Sequence, residues 1–262
     1  MIQKRQWRKD HCDGHYAAAI FQYKSELAVK FREVATFACL DDMHRIKVGE
    51  PGFPVAAAER GRRVLVRDGA SFEVGDHNFT KFSLVPSVAL VNGIPSALED
   101  SWYCEQVIVT LKEGAFEPSS PLRHAAELKQ SLCQQNTAEN PMLFLYTDGG
   151  PDHRITYLSA QVALICLFLS LNLDYLLATR TAPYHSWRNP VERIMSTLNL
   201  GLQSIGLMRQ AGDETFEKDM HKCNNMGDMR KKASKDDSFR TASLDSVAPV
   251  KVLLSKYFKD WN

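Results

Sequence analysis

The sequence has no apolar stretch long enough to cross a membrane. The longest one, Val162 to Leu171, spans about ten residues and is interrupted by Ser170, whereas a membrane helix needs about twenty. The first residues are polar and basic and lack the apolar centre of a signal peptide. We therefore expect a soluble protein that is not secreted, located in the nucleus if the source is eukaryotic and otherwise in the cytoplasm.

The six cysteines lack the spacing of a zinc finger or of a disulfide framework. No Cys-x-x-Cys pair occurs, and Cys39 and Cys166 lie in apolar runs, where a cysteine behaves as a small hydrophobic residue. Two metal-like clusters, His11-Cys12-x-x-His15 and His221-x-Cys223, have no second half at zinc-finger spacing. These features predict free thiols in a reducing compartment and no structural zinc.

Excess charge of one sign is also absent. The net charge is +1 over 262 residues, so any attraction to nucleic acid must be local rather than global. Basic residues do cluster locally, around 4–9, 60–67 and 230–235. The hydrophobic content of 44% and the charged content of 24% are ordinary for a globular protein.

Hydrophobic periodicity predicts alternating strands and helices over most of the chain. We expect strands over 34–40, 82–91 (one or two strands), 106–111, 142–147 and 173–179. We expect helices over 14–33, from Ser120-Pro121 to about 134, and over 157–170 and 190–203. Beyond these we expect a loose helix over 213–224, a poorly ordered span over 226–244 and a final helix over 247–259. Pro86 implies an edge strand or a bulge. The predicted organisation is a helical extension (1–33), an α/β domain (34–209) and a charged, partly disordered extension (210–262).

Three acids occupy distinctive positions in this order. Asp41 ends the first strand, Asp148 ends the fourth, and Glu192 lies in the first turn of the helix after the fifth. Phosphodiester chemistry proceeds by in-line displacement, which two divalent ions ~3.5–4 Å apart can clamp. Mg²⁺ prefers hard oxygen ligands, so carboxylates that converge from separate elements would suffice to bind it.

Each acid also has a purely structural interpretation. Asp148-Gly149 is a common turn signal. If Asn189 is the N-cap of its helix, Glu192 is the third helical residue. At that position a carboxylate can accept a hydrogen bond from the backbone N–H of the N-cap residue and interacts favourably with the helix dipole. Glu192 lies about 100° from the apolar stripe of its helix, at the margin of the buried face. Taken together, the three positions favour the functional interpretation.

These phrases resemble the motifs of DDE-type transposases. Asn189-Pro190-Val191-Glu192-Arg193 is similar to the third-acid motif of mariner-type and related insertion-sequence transposases and to the Glu-Arg pair of retroviral integrases. The phrase 147–153 resembles their second-acid motif, and Leu40-Asp41-Asp42-Met43 resembles the first, with Met43 where lysine is frequent. The 43 residues between Asp148 and Glu192 fall within the broad range of intervals between the second and third acids in this family, and exceed the interval in integrases.

The resemblance implies a ribonuclease-H-like fold, a mixed sheet of order βββαβαβα with helices on both faces. It also implies Mg²⁺- or Mn²⁺-dependent cleavage and strand transfer of DNA by two ions. Asp41, Asp148 and Glu192 would be the catalytic metal ligands. Asp42 is the alternative first ligand, because alternation sends neighbouring strand residues to opposite faces, and Asp152 is a possible additional one. DNA contacts are expected from Arg180, His185, Trp187, Arg188 and Arg193.

Two alternatives remain open at this point. A domesticated or truncated copy could bind DNA or protein without cleaving it, and a ribonuclease-H-like nuclease would lack the strand-transfer role. About thirty residues precede the first strand, too few for a module that recognises transposon ends. We therefore expect a fragment, a truncated copy or a partner-dependent domain, which would form a homo-oligomer or act with a separate DNA-binding partner.

Overall fold

A computed structural model describes residues 10–57, 81–102, 105–135, 137–203 and 205–259. Two of the basic clusters noted above, at 4–9 and 60–67, lie outside these residues. The strands are β1 (Ala35–Asp42), β2 (Ile46–Val48), β3 (Val55–Ala56), β4 (Phe82–Asn92), β5 (Glu105–Glu113), β6 (Met142–Thr147), β7 (Tyr175–Arg180) and β8 (Gly206–Leu207). The helices are α1 (Gly14–Lys30), α2 (Pro121–Gln134), α3 (Leu158–Ser170), α4 (Val191–Gly201), α5 (Glu214–His221), α6 (Met226–Ala233) and α7 (Asp237–Lys259).

The main sheet is mixed. Its strand order is β2-β4-β1-β6-β7, and β5 also pairs with β4. Strands β1, β6 and β7 run parallel to one another, whereas β2 and β4 pair with each other in antiparallel orientation. The predicted α/β class and the order of the strands and helices between β1 and α4 are confirmed, with short β2 and β3 added after β1.

Side chains alternate across the parallel half of the sheet and bury it on both faces. On one face the aromatic rings of Phe37 and Phe144 lie 6.5 Å apart, and Phe21 of α1 lies 4.5 Å from Tyr146. On the other face the small and aliphatic residues of β1 and β6 join those of α2 and α3: Ala38, Leu40, Leu143, Leu145, Leu128, Leu132 and Leu167. The predicted placement of helices on both faces is therefore confirmed for this part of the sheet.

The chain forms two compact units, each built from several segments. The first comprises 1–41, 88–108 and 119–194, and the second comprises 42–87, 109–118 and 195–262. In the second unit a small additional sheet pairs β3 with β8, Val55 opposite Leu207. On the other side of this segment Gly49 forms a parallel bridge with Met208, and the backbone N–H of Arg209 donates to the Gly49 carbonyl at 2.9 Å. The predicted domain boundaries after residues 33 and 209 remain predictions.

Strand β4 differs from expectation at Pro86. The residue lies inside a continuous strand that pairs with β1, β2 and β5, so the expected edge position is wrong. Proline removes only an N–H donor. Its carbonyl still accepts a 2.8 Å hydrogen bond from the Met43 N–H, which keeps this position compatible with an internal strand.

The span from 226 to 244 is helical where we expected poor order. Helix α6 is capped by Asn225, whose side chain accepts from the Asp228 N–H at 3.0 Å, and Asp236 accepts from the Phe239 N–H at 3.1 Å before α7. Met229 and Phe239 are buried. The burial of a few apolar side chains therefore stabilises helices in a segment whose charged composition suggested disorder. No helix among the described residues is long and apolar enough to cross a membrane.

Candidate active site

The ends of β1 and β6 bring two of the predicted acids together. The parallel register runs from Ala35↔Met142 to Leu40↔Thr147, and the next residues along the two strands are Asp41 and Asp148. Paired strands lie ~4.8 Å apart. The register therefore places the backbone positions of Asp41 and Asp148 side by side, and alternation puts the Asp41 side chain on the face that carries Phe37.

Asp42 has a different environment from Asp41. Alternation directs it to the opposite face, and both of its carboxylate oxygens lie near the Lys112 ammonium, at 3.1 and 3.3 Å. The Lys112 side chain is only 1% exposed, and a buried charge of this kind requires a partner. Asp42 thus has a structural role as the partner of a buried lysine.

The turn after β6 fixes the Asp148 carboxylate. Its Oδ1 accepts a 2.7 Å hydrogen bond from the Gly150 N–H, and its carbonyl accepts from the Thr181 hydroxyl at 2.8 Å. Gly149 has φ +78°, and a Cβ there would approach Arg180 Cδ to 2.7 Å. A non-glycine residue would therefore be strained and would displace the Arg180 side chain, which packs over this turn.

Helix α4, which carries Glu192, is attached directly to the strand that carries Asp41. The Asn189 side-chain amide donates to the Leu40 carbonyl at 3.0 Å, and its oxygen accepts from the Val191 N–H at 3.4 Å. Asn189 is 1% exposed. One side chain therefore caps α4 and holds its first turn beside the end of β1, while Glu192 itself is half-buried.

The predicted DNA-contacting residues divide into an inward and an outward set. His185 is buried, and a Cβ at Gly14 of α1 would meet its ring at 2.9 Å, so His185 anchors the loop rather than facing solvent. Trp187 is 41% exposed, and the Arg188 guanidinium lies 5.2 Å from its ring centroid. Arg193 is also exposed. The outward set is available to a ligand.

Arg188 also acts electrostatically on the sheet face that leads to the acids. Burial raises the pKa of Tyr146 to about 12, and the positive charge of Arg188 acts in the opposite direction on the same pKa. Tyr146 lies two residues before Asp148, near the end of β6. Arg188, in the loop before α4, is therefore close enough to the end of β6 to act on Tyr146.

Asp152 lies toward the other side. It lines a small apolar cavity of about 40 Å³ together with Leu40, Thr147, His124 and His153. The His124 and His153 rings are 4.3 Å apart, and the nearest ligand atoms of His124 and Asp152 lie within 4.8 Å of each other. The sequence analysis did not identify His124, because a helical histidine has no signal linking it to a turn about thirty residues away.

The three acids are not a tight cluster. Although all three are within the described residues, no choice of one oxygen each from Asp41, Asp148 and Glu192 brings all three atoms within 4.8 Å of one another. Two ions ~3.5–4 Å apart, each with oxygen ligands at ~2.1 Å, accommodate more widely spaced carboxylates than one ion does.

Asn189→Ala is expected to lower the free energy of unfolding by about 2 kcal/mol. The substitution leaves the buried Leu40 carbonyl without its donor and removes the α4 cap. Urea denaturation measures the change. Asn224→Ala, at an exposed asparagine, is the matched control and should differ from the wild type by less than about 0.5 kcal/mol. Equal effects of the two substitutions would contradict the anchoring role of Asn189.

Comparisons with known proteins give weak similarity only. No protein-family model matches the chain, and no curated protein matches it. Among solved structures, it is similar to the Mos1 mariner paired-end complex with Mn (13% identity, TM-score 0.43, 99% of this chain and 65% of that chain). It is also similar to the Mos1 strand transfer complex (14% identity, TM-score 0.41, 99% of this chain and 66% of that chain). A further similar structure is the Mos1 paired-end complex with the left transposon end (14% identity, TM-score 0.42, 99% of this chain and 66% of that chain).

The chain spans just under two thirds of the length of these neighbours. Since every TM-score is below 0.5, the case for a function rests on the arrangement of the acids.

Proposed function

We propose that this chain is a transposase-like catalytic domain that cleaves and transfers DNA strands in a reaction dependent on Mg²⁺ or Mn²⁺. Asp41, Asp148 and Glu192 would bind two ions. The observation that supports the proposal is that the ends of β1 and β6 pair while the helix that carries Glu192 is hydrogen-bonded to β1. The strand register pairs the ends of β1 and β6, and Asn189 ties the helix that carries Glu192 to the residue before Asp41.

The bound ions would stabilise the charge that develops on the attacking and leaving oxygens during displacement at phosphorus. The carboxylates supply the hard oxygen atoms that such ions prefer. Asp42, paired with Lys112, and Asp152, beside the apolar cavity, are less suited to this role.

The remaining residues of the site would position the DNA. The Gly150 N–H orients the Asp148 carboxylate through Oδ1. Arg180 packs over the following turn, where its guanidinium would meet a backbone phosphate near the acids. Trp187, with its ring half exposed and Arg188 beside it, offers a stacking surface for a base.

The experiment measures Mn²⁺ binding by calorimetry and nicking of a supercoiled plasmid, for the wild type and for Asp148→Asn and Glu192→Gln. Each substitution removes one charged ligand while keeping the size of the side chain. We expect each variant to lose Mn²⁺ affinity and at least about 100-fold of the nicking rate, because the charge stabilisation is lost. Circular dichroism verifies that the variants remain folded.

Asp174→Asn is the matched control. Asp174 is exposed and precedes β7 at the end of the sheet away from the acids, so both readouts should stay at the wild-type level. Full activity in either Asp148→Asn or Glu192→Gln would contradict the assignment. A folded wild type that binds no Mn²⁺ would instead favour the inactive DNA- or protein-binding alternative.

A further inference from the structure

Helix α3 exposes a continuous apolar stripe. Leu158, Val162, Ile165 and Leu169 are 74%, 48%, 57% and 70% exposed. Their spacing of four, three and four residues is the heptad pattern of paired helices. At about 100° per residue the four side chains fall within about 60° of one another on the helix surface, so they form one line rather than scattered contacts.

The opposite face of α3 is already occupied. Ala160, Ala163 and Leu167 are buried, and Leu167 belongs to the core that α2 shares with the sheet. No Asp, Glu, Lys or Arg occurs between Leu158 and Ser170. A helix that is apolar all round is typically covered on both sides. The outward stripe therefore has the composition of a buried surface.

We propose that this stripe binds a second copy of the same chain, so that two α3 helices pair across a twofold axis. A heptad stripe is complementary to itself, as the isologous interface of a symmetric dimer requires. The spacing also reads the same in both chain directions. An antiparallel pair places Leu158 of one copy against Leu169 of the other and Val162 against Ile165.

The area and the lack of charge both favour a second copy. The four residues expose roughly 500 Å² per copy, so a pair that covered them fully would bury about 1,000 Å², the area that a specific interface should reach. Heterologous helix partners are normally selected by charges that flank the stripe. The flanks of α3 carry none; Ser159, Gln161, Cys166 and Ser170 are its other exposed residues.

The decisive measurement is the mass in solution by light scattering and sedimentation equilibrium over a wide range of concentration. We expect the wild type to sediment at twice the chain mass of 29.6 kDa. Ile165→Glu should weaken the dimer at least about 30-fold, because each copy would bury an unpaired charge. Ile165 is more than half exposed, so the monomer fold should tolerate the change, and Ile165→Ser is a second, milder variant that should weaken the dimer in the same direction.

Val252→Glu is the matched control, since Val252 is 68% exposed on a different helix, α7. It should leave the dimer intact. A wild type that remains monomeric at high concentration would overturn the proposal, as would an Ile165→Glu variant that dimerises as well as the wild type. Flotation of a monomeric wild type with phosphatidylcholine vesicles would overturn it in favour of a lipid surface. The test does not depend on the catalytic proposal, since no readout requires DNA or metal.

Discussion

Replacing Arg209 with methionine is expected to lower the free energy of unfolding by about 3–5 kcal/mol, the cost of removing one partner from a buried charge network. The guanidinium lies in the second unit with its side chain 1% exposed. Its Nη2 donates to Glu50 and to Glu217, each at 2.6 Å, and its Nη1 donates to Glu217 at 2.7 Å. Arg209 therefore joins the segment after β2 to helix α5.

The magnitude follows from what the substitution leaves behind. The Glu50 and Glu217 side chains are 31% and 25% exposed, so without Arg209 two partly buried carboxylates face each other without their shared counter-charge. The guanidinium carbon also lies 5.3 Å from the Phe216 ring and 5.7 Å from the Phe82 ring. Methionine retains some of this packing but none of the hydrogen bonds.

The effect should weaken in acid. The hydrogen bond from Arg209 lowers the pKa of Glu217, so the stabilisation is present above the ordinary glutamate pKa of about 4.3 and is lost as the pH falls through the lowered value. Urea denaturation of the wild type and of Arg209→Met, at pH 7 and below pH 4, measures how much unfolding free energy the substitution removes at each pH. Lys218→Met, in an exposed pair with Glu214, is the control and should change stability by less than about 1 kcal/mol. A loss at Arg209 no larger than this would show that the network is dispensable.

Replacing Lys24 with methionine is expected to stabilise the protein by about 2–4 kcal/mol near pH 7. Lys24 is 1% exposed. Its ammonium lies 4.4 Å from the centroid of the Phe37 ring and 4.3 Å from that of Tyr146, and it donates a 3.1 Å hydrogen bond to the Leu145 carbonyl. These two rings, the Phe21 ring at 5.3 Å and one carbonyl compensate only partly for the lost hydration of the ammonium. Burial accordingly lowers the pKa of Lys24 to about 7.

The sign of the pH dependence follows from this lowered pKa. Between about 7 and 10.5 the unfolded chain binds the Lys24 proton while the folded chain releases it, so the stability of the wild type rises with pH over this range. Cys39 does not offset the charge, because its own burial raises the pKa of its thiol to about 12. The advantage of Lys24→Met should therefore be largest at and below pH 7 and should vanish near pH 10.

Lys30→Met supplies the control in the same helix, where the side chain is exposed. Denaturation curves between pH 6 and pH 10, a range that brackets the lowered pKa, should show a flat difference for Lys30→Met and a sloping one for Lys24→Met. A Lys24→Met difference that does not change with pH would mean that Lys24 remains charged in the folded state throughout.

The elements that frame the acids were predictable because local signals define them. The apolar run 142–147 ends on an acid and two glycines, and β6 has these bounds. Ser120-Pro121 marked the start of α2, and the Ser120 side chain does accept from the Arg123 N–H. Such signals lie within a few residues of one another, so the bounds of these strands and helices can be predicted from the local sequence alone.

Contacts that join distant segments were not predictable in this way. Lys24 meets a carbonyl 121 residues away, and Lys112 meets Asp42 70 residues away. Both lysines are long side chains that could equally have reached solvent, and only the packed sheet decides otherwise. The same holds for His185, which the loop sequence suggested as a DNA contact and which the start of α1 covers.

The hydrogen bond from Asn189 to the strand before Asp41 has a consequence for divergence among homologues. The position of Glu192 is set by this anchor and by the strand register, not by the number of residues that follow Asp148. Insertions and deletions between the end of β6 and the Asn-Pro pair can therefore accumulate without moving the acid. Distant relatives should keep a buried asparagine three residues before the third acid while the interval drifts, and searches that fix this interval would miss them.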